Sequence, residues 1–150
     1  MKSDFGIVLA LAYSAFVDEM RAELAAAGHT DLHRSFGYVA RALTERALTV
    51  GELAAHLDMT PPGAVKIVDE MEGTGHLERV ADPGDGRRVR LRLTARGKAA
   101  LAAAREFHAR FEARLIEELG PRKAAACRAV LEEIVERRTR AGKAPVLRHV

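Results

Sequence analysis

A chain of 150 residues, 48% hydrophobic and 30% charged, carries enough apolar material for one sizeable core and reads as a single soluble unit rather than two domains. Its net charge of +3 says little about partners by itself, and no run reaches the length of a bilayer span. The opening MKSDFGIVLALAYSAF lacks the basic start and cleavage site of a secretory leader, so the expected location is the cytoplasm, with no membrane partner.

High alanine content and only 5% aromatic residues favour helices. Residues from about Asp4 to Ala27 place Phe5, Val8, Leu9, Ala12, Phe16, Met20 and Leu24 at spacings of three and four, the pattern of a long amphipathic helix. Ile7, Leu11, Tyr13 and Val17 widen its apolar stripe beyond the need of one small core, which suggests burial against a second chain; the central helix of a monomer is the alternative. Gly28 ends it. His29, Asp31 and His33 follow at a helix junction. Two histidines and an aspartate could begin a metal site, but no recognised ligand spacing completes one, so capping or packing roles are expected and no metal or other cofactor is assigned. A second helix then turns Leu32, Phe36, Val39, Ala40 and Leu43 inward.

Thr49-Val-Gly-Glu52 is a capping box opening a short helix with Val50, Leu53, Ala54 and Leu57 inward, broken at Asp58 and Met59. Thr60 caps the next helix, with Pro61 at its first position, where a missing N–H does no harm. That helix runs to about Glu72, with Ala64, Val65, Val68 and Met71 on its buried face, before Gly73 and Gly75 stop it. Leu77 to Ala81 reads as a strand, Pro83, Gly84 and Gly86 allow a tight reversal, and Arg88 to Leu93 alternates as a partner strand. Arg88, Arg90 and Arg92 share one face, and Val89, Leu91 and Leu93 the other. Between Asp85 and Lys98 stand Arg87, Arg88, Arg90, Arg92, Arg96 and Lys98 against the single carboxylate Asp85, an electrostatic footprint suited to nucleic acid.

Two short helices joined by a turn and followed by a hairpin predict a winged helix-turn-helix, mainly α with a small two-stranded β-wing. After Thr94 a long helix carries Leu101, Ala104, Phe107, Phe111, Leu115 and Leu119; Gly120 and Pro121 break it. A last helix to about Arg140 turns Cys127, Val130, Leu131, Ile134 and Val135 inward. Cys127, the only cysteine, permits no intramolecular disulfide and reads as a buried small hydrophobe rather than a thiol sensor. Long helices at both ends of a small module have too little of their own domain to pack on, and dimerisation would cover them.

The wing residues Asp85-x-Arg87, then five residues and Leu93-Thr94, match the motif DxRxxxxxLT, and LTVGELAAHLDMTPPGAVKIVDEMEGTGHLERV, from Leu48 to Val80, resembles the helix-turn-helix of the same family. On these residues the chain resembles the MarR family of bacterial transcription regulators. The resemblance implies one domain in which residues 1–46 and 99–141 supply dimerisation helices, 47–98 the winged DNA-binding region and 142–150 a tail. It implies a homodimeric, ligand-responsive repressor on a pseudo-palindromic operator, with the helix from Thr60 in the major groove and the wing in the minor groove. Arg87 would stand near the wing tip, held by a charge-assisted bond from Asp85, with Arg88 as a further contact.

The expected DNA-contacting set is Thr60, Pro61, Pro62, Gly63, Lys66, Asp85, Arg87, Arg88 and Arg90. The recognition helix is thinly armed: Lys66 is its best base or phosphate contact, Pro61 or Pro62 could touch a thymine methyl, and Asp69, Glu70 and Glu72 should face away from phosphate. Affinity should then come mostly from the wing and from backbone contacts. A small-molecule effector would enter a cleft between dimer helices and winged module, for which Tyr13, Phe16, His33 and Phe36 are candidates with core packing as the alternative. Two other readings remain open: a winged-helix module that binds protein instead of DNA, favoured by the acidic recognition helix, and a metal-responsive regulator. No nucleophile–base pairing, metal spacing or phosphate-cradling loop supports an enzyme.

Overall fold

The computed structural model describes residues 4–141; the expected tail, 142–150, lies outside the described residues. The order is α1 (Phe5–Ala26), α2 (Phe36–Glu45), α3 (Val50–His56), α4 (Pro61–Gly73), β1 (Leu77–Asp82), β2 (Asp85–Leu93), α5 (Ala95–Leu119) and α6 (Pro121–Arg140). No helix among the described residues is long and apolar enough to cross a membrane.

The local signals act as their chemistry requires. Thr49 Oγ1 accepts from the Glu52 N–H at 3.2 Å while Glu52 Oε2 accepts from the Thr49 N–H at 2.7 Å, so the capping box starts α3. Asp58, at φ 48°, turns the chain out of α3, and Thr60 then caps α4 by accepting from the Gly63 N–H at 3.3 Å. Strands β1 and β2 pair antiparallel, and Leu48 adds an isolated bridge to Leu91. The core lies where α2, α3, α4 and the wing base meet: Val39, Ala40, Leu48, Leu53, Val68, Met71, Leu77, Leu91 and Ala100 are all within 2% of full burial.

Two apolar positions depart from the sequence expectation. On α4 the buried face is Ala64, Ile67, Val68 and Met71, a strict three-and-four stripe that leaves Val65 outside, 41% exposed. On β2 the inward alternation holds for Leu91 and Leu93 but not for Val89, which is 48% exposed because the hairpin projects beyond the core there.

The long helices behave differently from the winged module. In α1 the side chains of Phe5, Ile7, Val8, Leu9, Leu11 and Tyr13 are exposed, and packing begins at Phe16, whose ring meets Phe107 at 5.4 Å and Phe111 at 4.9 Å. The expected inward face of α6 is not covered within the chain: Val130, Leu131, Ile134 and Val135 are each at least 42% exposed, and no residue of α6 is buried. Cys127 is likewise exposed, correcting the expectation of a buried thiol, because no other element among the described residues covers that face of the helix.

One joint fixes the start of α5. Thr94 caps the helix by accepting from the Gly97 N–H at 3.0 Å, donates its own hydroxyl to the Gly75 carbonyl at 2.6 Å, and sends its N–H to the His76 carbonyl at 3.2 Å. Gly97 lies against the same carbonyl, so closely that a Cβ there would come within 2.0 Å of the His76 oxygen. His76 is fully buried. The Thr74 hydroxyl donates to the Met71 carbonyl, so at 2.8 Å it accepts from His76 Nδ1–H, leaving Nε2 to accept from Arg96 Nε at 3.4 Å. That geometry fits the neutral imidazole, and burial pushes its pKa down.

Gly97→Ala should destabilise the fold by about 1–3 kcal/mol, the usual range for forcing an extra carbon into a packed site; urea unfolding at fixed protein concentration reads this, and an unchanged midpoint would refute the close approach. Acidification should act through His33, His76 and His108, all lowered chiefly by burial from the ordinary value of 6.5. A depressed folded pKa means that the unfolded chain binds the proton first. The contribution is therefore complete above the ordinary imidazole value and is lost as pH falls from there through the lower folded values. Melting temperatures recorded from neutral pH down to the onset of carboxylate titration should fall, and a flat profile would contradict the assignment.

Candidate nucleic-acid interface

The wing and α4 form one exposed face. The hairpin closes through Pro83 and Gly84, with the Gly84 N–H donating to Asp82 Oδ1 at 2.8 Å. Pairing runs regularly from Leu77–Leu93 to Ala81–Val89 and then jumps to Asp82–Asp85. Gly86, Arg87 and Arg88 are thus left unpaired in the ladder, and the irregularity pushes the two arginines out at the tip. Asp85 does hold Arg87, but through the backbone: its Oδ1 accepts the Arg87 N–H at 3.1 Å, an Asx-type turn in place of the expected side-chain bond. The other oxygen of Asp85 stands 3.8 Å from Arg88 Nε.

Three of the six cations expected to form a nucleic-acid footprint, Arg90, Arg92 and Arg96, are engaged inside the module. Arg90 is half-buried: Nε donates to Asp82 at 2.5 Å, Nη1 donates to the Ala47 carbonyl at 2.9 Å, and Glu52 stands 3.6 Å away. It therefore ties the wing to the turn before α3, and it leaves the candidate DNA set. Arg92 donates to its cross-strand partner Glu78 at 2.9 Å, and Arg96 grips both oxygens of Asp31 at 2.7 and 2.9 Å. Alternation along β2 revealed which side these arginines share but not that carboxylates on neighbouring elements already occupy them. Arg87 and Lys66 form no ion pair among the described residues, and both are exposed.

The acidic half of α4 is similarly accounted for. Arg79 on β1 reaches back to Asp69 at 2.6 Å and to Glu72, while His33 Nε2 stands 3.0 Å from Glu70. The His33 Nδ1 accepts from the Ser35 N–H at 3.0 Å, so the proton shared with Glu70 sits on Nε2. What remains open on the leading part of α4 is Pro61, Pro62, Val65 and Lys66, with Thr60 and Gly63 engaged in the cap. Sequence reasoning missed Val65 as an outward residue and Arg79 altogether. The stripe Ala64, Ile67, Val68, Met71 was the available signal for the first; Arg79 had none, because its partners are seven and ten residues away.

The other candidate groups disperse. His29, Asp31 and His33 share no centre: Asp31 belongs to Arg96, His33 to Glu70 and Ser35, and the His29 Nδ1 is buried without a partner. Among the described residues no group of three or more His, Cys, Asp or Glu side chains is placed to hold a metal ion, which leaves the metal-responsive alternative without geometric support. Tyr13, Phe16, His33 and Phe36 have separate partners among the described residues. Phe36 is buried with its ring centroid 5.5 Å from that of His76, edge to face, Phe16 packs on α5, and Tyr13 hydrogen-bonds Tyr38, whose phenol is pushed up to about 12 chiefly by burial and also by that bond.

Comparison with known proteins agrees with this architecture. A model of the MarR family matches residues 31–88, the stretch from the α1–α2 junction to the wing tip. The transcriptional repressor CouR, in a structure bound to a 23-mer DNA duplex, is 30% identical, with a TM-score of 0.66 over 87% of this chain and 91% of that one. MepR of Staphylococcus aureus, in a DNA complex, superposes with a TM-score of 0.69 at 19% identity over 90% of this chain and 98% of that one. The reduced form of MarR from Escherichia coli gives 0.68 at 18% identity, over 90% and 98%. No curated protein sequence matches the chain. With its helix order, its two-stranded wing and a 30%-identical relative spanning nearly its whole length, the chain belongs to the MarR family of winged-helix DNA-binding transcription regulators.

Proposed function

We propose that the protein is a ligand-responsive repressor that works as a homodimer on a pseudo-palindromic operator, in one domain divided as 1–46 and 99–141 for dimerisation and 47–98 for DNA. One observation carries the DNA reading. Of the cations on the winged face, Lys66 on α4 and Arg87 at the wing tip are exposed without an ion pair among the described residues, while Arg79, Arg90, Arg92 and Arg96 are internally engaged. Each of the two projecting elements thus presents one available cation, as expected if α4 reads the major groove and the wing enters the minor groove.

In this reading Thr60, Pro61, Pro62 and Gly63 approach the duplex at the N-terminus of α4, Val65 offers an apolar surface to a thymine methyl, and Asp85 keeps the Arg87 backbone in place while Arg88 supplements it. The half-sites lie about one helical turn apart, roughly 34–36 Å. The exposed apolar faces of α1 and α6 support the second chain: these side chains are about half exposed, so covering each is worth roughly half of the 1.5–3 kcal/mol for complete burial, about 1 kcal/mol. Response to a small molecule rests on the family resemblance. The cytoplasm is the proposed location because the DNA is there. The protein-binding alternative loses its main support, since Asp69, Glu70 and Glu72 are engaged by Arg79 and His33.

Gel shifts against duplex from upstream of the protein's own coding sequence test the DNA reading. Arg87→Ala should weaken binding to all duplexes and lower the salt slope by about one, whereas Lys66→Ala should cost about 1–3 kcal/mol of discrimination if it bonds a guanine. No shift at low salt with an intact dimer would defeat the proposal. For the dimer, Leu131→Asp with Ile134→Asp should produce monomer in sedimentation at micromolar protein; persistence of a dimer would remove α6 from the interface.

A further inference from the structure

The link from α4 to β1, residues 74–76, follows Gly73 and contains Gly75 at φ +75°, a conformation that side chains rarely adopt. The recognition helix and the wing are therefore joined by one short turn, held at the wing root by Thr94 through the Gly75 and His76 carbonyls. Arg79 spans it. From β1, opposite the fully buried Leu91, it sends Nη2 to Asp69 and Nη1 to Glu72, while its backbone N–H donates to Glu72 Oε1 at 3.3 Å. Asp69 and Glu72 are one turn apart on the same side of α4, and a planar guanidinium can bridge two carboxylates in this way, whereas a single ammonium is a point charge without that fork.

Exposed ion pairs contribute little to global stability, so the worth of this one lies in geometry. We propose that Arg79 is a positioning residue for operator recognition, bracing the recognition helix against the wing so that both reach the same half-site in register. The inference rests on the proposed reading in which α4 and the wing contact one duplex. Two contacts held by a rigid frame add their discrimination, while a hairpin fixed only at its root and not braced to α4 further along β1 keeps its phosphate attraction and loses register.

The brace also neutralises two carboxylates on the face of α4, and the test separates the two effects. Duplexes selected by the wild-type dimer from a randomised pool serve as probe, and the readout is the ratio of affinities for selected and random duplex over a salt series. Asp69→Ala/Glu72→Ala cuts both arms of the brace while making the face more positive. Positioning requires binding to random duplex to hold or tighten and the ratio to fall by about tenfold, the weight of roughly one base contact. Arg79→Met should lower the ratio similarly, Arg79→Lys less, and Arg92→Met, which removes the same charge from the wing without crossing to α4, should leave it near wild type. Should Arg79→Met fail to give a cooperative melt, the double alanine variant carries the test with Arg79 intact. A double variant with a wild-type or higher ratio would overturn the inference and reduce Arg79 to charge compensation. A wild-type protein that selects no sequence from the pool, by contrast, would overturn the operator reading itself.

Discussion

The close approach of Gly97 to the His76 carbonyl is the constraint on which the winged module depends. A helix start can come within reach of another segment's backbone only where no Cβ intervenes, and here the gap would admit none. Around it Thr94 caps α5, holds Gly75 and meets His76 through hydrogen bonds. The end of α4, the root of the wing and the first turn of α5 are thereby joined at one point. The LT of the wing motif is thus architectural: Leu93 is buried and Thr94 is the junction.

From that joint the wing projects as a lever held on both of its strands. Arg90 on β2 reaches the Ala47 carbonyl and Asp82, beside the Glu52 of the α3 capping box, and Arg79 on β1 reaches α4. The arrangement explains why a segment so rich in arginine offers so few free cations. The hairpin has to be attached to helices whose outward residues include Glu52, Asp69 and Glu72, and arginine makes that attachment while satisfying the charge. What is left over stands beyond the last regular pair of the ladder, at Arg87 and Arg88, where the unpaired stretch turns the backbone outward.

The long helices follow a separate logic. In the first half of α1 and in α6 the apolar residues keep helical spacing but are left exposed among the described residues, which is the argument for the proposed second copy. Near the middle of α5 the position changes: Phe107 is fully buried against Phe16, with Phe111 beside them, and the pairs of Arg110 with Glu23 and Arg114 with Glu19 run along the same seam.

The sequence by itself determined the element order, because capping boxes, glycine and proline breaks and apolar spacing are local signals whose physics acts within a few residues. Thr49, Thr60 and Thr94 cap the helices they precede, and the alternation of Leu91 and Leu93 gives the inner face of the wing. It also singled out Lys66 and Arg87. Tertiary structure alone decided which charges remain available, since an arginine reads the same whether its partner is solvent, DNA or a carboxylate seven or more residues away. Arg90 moved from expected contact to internal strut, Asp85 to a backbone turn, and Cys127 to an uncovered face; Val65 moved outward and Arg79 emerged as a brace. The changes at Arg90, Cys127 and Arg79 depend on distances between elements that no short-range pattern encodes, whereas the Asp85 turn and the outward Val65 follow from local geometry.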